Sequence, residues 1–63
     1  MTMLTAWDLS EAQRLVLRRE FDAVRGRCPC CLTRMGSPVM WWAHIDIDHA
    51  NSPHRRRLAG VLT

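Results

Sequence analysis

Hydrophobic and polar positions follow two different periods along this chain. Up to about residue 24 the period is helical. Glu11, Arg14, Arg18, Asp22 and Arg25 fall three or four residues apart and line one polar stripe. Leu9, Ala12, Val16 and Ala23, flanked by Leu15 on one side and by Leu17, Phe21 and Val24 on the other, form a wide apolar face. Asp8, three residues before Glu11, predicts a capping box, with Ser10 as the rival N-cap. Gly26 is placed to close the helix in a left-handed turn. Ahead of the helix, Leu4 and Trp7 are expected to fold back as an apolar cover.

Residues 39–48 support two readings. At period 2, Met40, Trp42, His44, Asp46 and Asp48 share one side of a strand, and Trp41, Ala43, Ile45, Ile47 and His49 share the other. Residues 35–38 then form a turn, Ile45 and Ile47 go to the core, and His44, Asp46 and Asp48 face outward together. At a helical period, Ser37 is an N-cap and Pro38 the first helical residue. The β-branched and aromatic content favours the strand, as does the poor helix propensity of Ile45-Asp46-Ile47-Asp48. Residues 51–63 open on turn chemistry and predict a short helix from Pro53, with Leu58, Val61 and Leu62 turned inward.

Composition adds a staple to this picture. A chain of 63 residues buries little apolar surface against its conformational entropy, so a cross-link or metal is expected. Three cysteines, Cys28, Cys30 and Cys31, cannot all pair within one chain, and no leading apolar segment resembles a secretion signal. Thiolates on zinc in a reducing, cytoplasmic setting fit better. Cys28 and Cys31 stand across Pro29 at the spacing that lets a tight turn aim both sulfurs at one tetrahedral ion. A redox dithiol shares that spacing, but no βαβ context accompanies it. His44 and His49 are the expected completing ligands, with His54 as the alternative. In the helical reading of residues 38–49, the spacing Cys28-x2-Cys31-x12-His44-x4-His49 fits a two-Cys, two-His finger. The expectation is a small, zinc-stapled α+β domain over residues 1–63. Residues 1–25 give the N-terminal segment and helix, and residues 26–63 give the knuckle, a β-hairpin and a short basic C-terminal helix. No apolar run approaches the roughly 18 residues of a spanning helix, so no membrane is implied.

Charge separates the halves. The net +3 divides into −1 over residues 1–24 and +4 over residues 25–63, and every basic side chain is arginine. Arginine suits bidentate phosphate contacts, which makes Arg34, Arg55, Arg56 and Arg57 candidates for nucleic-acid binding, DNA ahead of RNA. An acidic protein surface, or solubility alone, accounts for the same charges. Trp7, Trp41, Trp42 and four methionines also fit a protein-binding module, such as a phage-type accessory inhibitor docking on a host enzyme.

Leu17 to Leu62 runs through a helix, RGRCPCC, a hairpin-like stretch, HIDIDHA and an arginine-bearing segment ending LAGVL. That order resembles the HNH nucleases of the recombination endonuclease VII type. The resemblance implies a ββα-metal fold, a DNA substrate and phosphodiester hydrolysis dependent on magnesium or manganese. It matches Cys28 and Cys31 to the first zinc pair, Asp46 to the carboxylate that holds the catalytic metal, and Asp48 with His49 to the second Asp-His. Ile47 stands where the family has the histidine expected to act as general base, Thr63 stands where the third zinc cysteine would be, and the second cysteine pair is lacking. The resemblance therefore implies weak or lost cleavage, and a homodimer sharing ligands would compensate for the missing pair.

Overall fold

Three helices and one tight turn make up the fold in a computed structural model that describes residues 9–62. The apolar cover expected from Leu4 and Trp7, and the cap expected from Asp8, lie outside the described residues. So does Thr63.

Helix α1 spans Glu11–Ala23 and begins at Ser10, the rival N-cap. Ser10 Oγ accepts from Gln13 N at 3.2 Å, and Ser10 N donates to Gln13 Oε1 at 2.7 Å. Two donors that the first turn leaves without partners are satisfied reciprocally. The chain then leaves the helix through two left-handed residues, Arg25 (φ 55°) and Gly26 (φ 75°). A Cβ on Gly26 would lie 2.9 Å from Met35 O, so only glycine lets the returning chain of the knuckle come this close. The apolar face is narrower than its sequence suggested: Leu9 and Leu17 are buried, while Ala12, Leu15 and Ala23 are exposed.

Helix α2 covers Pro38–Asp48 and overturns the α+β expectation. No β-strand or sheet forms among the described residues, so the ββα hairpin is absent there, and only an isolated antiparallel bridge joins Arg27 to Arg34. Local start signals decide the matter. Ser37 Oγ accepts from Met40 N at 3.2 Å, and Pro38 stands at the first helical position, where its missing N–H costs nothing. Helical phase then turns Trp41, Trp42 and Ile45 to one buried face. Ile47, expected beside Ile45 in the core, is 75% exposed. Burial of two indoles and an isoleucine outweighs the few tenths of a kcal/mol per residue that β-branched residues cost a helix.

Helix α3, Pro53–Leu62, begins where the sequence indicated, with Ser52 Oγ accepting from Arg55 N at 3.1 Å. Leu58 and Leu62 pack inward, whereas Val61, expected to join them, is 45% exposed. The core is one cluster built from Leu9, Leu17, Cys28, Trp41, Trp42, Ile45, Leu58 and Leu62. Trp41 stacks edge-to-face on Phe21, with ring centroids 5.9 Å apart, and donates from Nε1 to Arg27 O at 2.8 Å. Trp41 and Trp42 are thus core residues, not the exposed aromatic stock that a docking surface would use. Gln13 Nε2 donates to Leu62 O at 2.6 Å and ties the start of α1 to the end of α3. No helix among the described residues is long and apolar enough to cross a membrane.

Candidate metal centre

The turn after α1 is shaped to present two sulfurs together. Cys28 N donates to Thr33 O at 2.8 Å, Leu32 N donates to Cys28 O at 2.7 Å, and Met35 N donates to Gly26 O at 2.8 Å. Leu32 takes a left-handed conformation (φ 64°) to close the loop. Cys28 is buried at its base and Cys31 is exposed on its side, while Cys30 packs partly buried against the core.

Opposite this turn, α2 delivers His44 from its second turn and His49 from its C-cap. On a straight helix, residues five apart point to divergent faces. Here the chain leaves α2 at His49 (φ −128°, ψ 40°) and carries its ring back toward His44, with centroids 5.0 Å apart. One donor atom from each of Cys28, Cys31, His44 and His49 then lies within 4.8 Å of all the others. Zinc–sulfur bonds of about 2.3 Å and zinc–nitrogen bonds of about 2.0 Å place tetrahedral ligands roughly 3.3–3.8 Å apart. A slight contraction brings this set to that geometry. The protein therefore carries a two-Cys, two-His group positioned to bind a metal ion.

Two further observations fit an ion at this point. His44 Nδ1 lies 2.9 Å from Asp48 Oδ2, one helical turn away, and His44 Nε2 lies 3.3 Å from Cys31 Sγ. A carboxylate holding one imidazole nitrogen leaves the other bare and aimed, as metal-bound histidines require. The second observation is an orphan: His49 Nε2 is buried with no hydrogen-bond partner among the described residues. Burying a polar atom unpaired costs about 1–3 kcal/mol, a penalty that coordination removes.

Protonation divides the two thiols. The Thr33 hydroxyl, 3.1 Å from Cys31 Sγ, draws the Cys31 thiol down to about 5, helped by the Thr33 backbone and by His44 and His49. Burial pushes the Cys28 thiol up, opposed by backbone hydrogen bonds at Cys30 and Cys31. One sulfur is thus a ready anion, while the buried one needs a cation beside it to ionise.

The remaining candidates lie elsewhere. His54, the alternative ligand, is exposed at the second residue of α3 and is not part of the group. Asp46 Oδ1 accepts from Arg55 Nε at 3.1 Å and pairs with its NH2 at 3.0 Å, joining α2 to α3. Asp48 holds His44, and Arg57 pairs with Glu20 at 2.8 Å, joining α3 to α1. Arg34 and Arg56 are exposed. The structure thus brings Asp48 and His49 near the cysteines and sets Asp46 apart with Arg55. Two contributions go beyond the roles the sequence assigned. Thr33 leaves no signal there, whereas Asp48 as the support of His44 is an i,i+4 pair, visible once the segment is read as a helix. The chain matches no model of a protein family, no curated protein and no solved structure.

Proposed function

We propose that this protein is a zinc domain whose ion is structural: it locks the knuckle of residues 28–31 onto the C-terminal end of α2. The convergence of four donor atoms within 4.8 Å supports this reading best. Two thiolates and two imidazoles suit zinc over calcium or magnesium, which prefer oxygen ligands. Four protein ligands also fill a tetrahedral ion, whereas catalytic zinc keeps one position open for water or substrate.

Hydrolysis on the HNH pattern would draw on Asp46, Asp48 and His49 around a magnesium or manganese ion. Each has another engagement: Asp46 with Arg55, Asp48 with His44, and His49 with the cysteine group. We therefore assign the domain no efficient phosphodiesterase activity. Elemental analysis of the purified protein is expected to give one zinc per chain. His44→Ala and His49→Ala should lose it, and His54→Ala should keep it. Wild-type protein free of zinc, or no less stable to urea in excess chelator than in buffered zinc, would refute the proposal. Magnesium-dependent cleavage of branched or plain DNA, abolished by His49→Ala, would refute the non-hydrolytic assignment.

A further inference from the structure

Ion pairing leaves the surface charge unevenly satisfied. Among the described residues, Glu20, Asp22, Asp46 and Asp48 each face a basic partner: Arg57, Arg18, Arg55 and His44 respectively. Of the nine arginines, six have no ion pair among the described residues, and two of these face each other. Arg27 and Arg34 are the partners of the isolated antiparallel bridge. Directly opposed residues project from the same face with Cβ atoms about 4.5–5.5 Å apart, and like charges so placed repel. Both residues are exposed. Nothing in the fold needs this pair of charges; an anion between them would turn the repulsion into a clamp.

The tip of the same loop carries a second anomaly. Leu32 is 67% exposed and sits at φ 64°, a conformation that costs an ordinary residue about 1–2 kcal/mol. Neighbouring exposed positions are Thr33 and Arg34. An apolar side chain held out in water on strained backbone, on the loop that Arg27 and Arg34 close, suits a ligand that is both anionic and flat-faced.

We infer that the outer face of the knuckle is a docking surface for single-stranded nucleic acid, with Arg27 and Arg34 gripping the phosphate backbone and Leu32 lying against a base. The planar fork of arginine matches phosphate oxygens in pairs. A loop closed by one bridge presents no helix or ribbon to enter a duplex groove, whereas a single strand can splay its bases over it. The inference rests on the proposed zinc site in one respect: the ion fixes the knuckle that carries both arginines.

The test measures binding of a fluorescein-labelled oligothymidylate to the zinc-loaded protein by anisotropy across a salt series. Arg27→Gln/Arg34→Gln is compared with Arg14→Gln/Arg19→Gln, a pair of equal charge change on α1. Each phosphate contact to a single strand contributes about 0.7 to the slope of log affinity against log salt, so losing two should flatten the slope by about 1.4. Between about 30 and about 300 mM salt, the knuckle variant should lose roughly 25-fold less affinity than the wild type does. The α1 variant should keep the wild-type slope. Equal flattening in both variants, or in neither, overturns the inference. So does tighter binding to the matching duplex, or equal competition by polyglutamate at matched charge, which would indicate an acidic protein partner. Zinc content and circular dichroism are recorded on each sample. A folded wild-type protein that takes up no zinc would sink the zinc proposal while leaving the salt slopes to decide this one.

Discussion

Asp48→Ala separates the contribution of metal support from that of ordinary surface contacts. Asp48 is exposed at the last residue of α2 and touches the candidate centre through His44 Nδ1, at 2.9 Å. Without metal its removal should be harmless or mildly favourable. Asp48 is 60% exposed, so its contact with the partly buried His44 is worth about 1 kcal/mol at most, and a carboxylate at a helix C-terminus opposes the helix dipole by about 0.3–1 kcal/mol. With zinc bound the sign reverses. Losing the carboxylate that orients a metal-bound histidine typically weakens the metal about 10–100-fold, or about 1.4–2.8 kcal/mol. In a zinc buffer above both dissociation constants, that whole difference appears as lost folding stability. For 63 residues the total is only about 3–9 kcal/mol, so the loss is conspicuous. At about 1 kcal/mol per molar urea, the midpoint should fall by roughly 1.5–3 M in buffered zinc and stay level or rise in chelator. The buried Trp41 and Trp42 indoles supply the fluorescence signal. An equal fall with and without zinc, or none in zinc, would refute the role given to His44 and its carboxylate.

Three further outcomes probe other parts of the fold. In metal-free protein the Cys31 thiol, drawn down to about 5 from an ordinary 9.0, should alkylate at a half-maximal rate near pH 5. Its thiolate contributes stability in full above pH 9 and loses it as pH falls toward 5, because the folded value lies below the unfolded one; identical rate profiles in native and urea-denatured protein would contradict this. Gly26→Ala meets Met35 O at 2.9 Å at a φ of 75° and should cost at least about 1–2 kcal/mol in urea melts. Gly36→Ala, with open space around its added Cβ, should stay within about 0.5 kcal/mol, and similar losses at both would refute the close approach. Ile45→Ala should cost about 2–5 kcal/mol and Ile47→Lys less than about 0.5 kcal/mol; the same melts would show comparable losses if residues 39–48 paired as a strand.

That last pair marks where sequence reasoning parted from the fold. Ser37 and Pro38 declared a helix start, yet Ile45-Asp46-Ile47-Asp48 alternates as a strand would, and the local pattern cannot weigh two indoles being buried on one helical face. The local pattern therefore points to α+β where the fold is helical. The cysteine pair is legible because x2 is the reach of one tight turn, whereas His44 and His49 meet only through the helix and its C-cap, since a strand would set them on opposite faces. The engagements of Asp46 and Glu20 were illegible, since both depend on where α3 lies against the other helices, and a row of three arginines does not say which will find carboxylates.

The hydrogen bond from Gln13 to Leu62 reaches across 49 positions of sequence. It brings the entry and exit of the described fold to one corner, so the whole unit could be spliced into a surface loop of another protein through short spacers without prising its helices apart. Anything fused before α1 or after α3 would hang from that same corner, and two such fusions would find themselves neighbours.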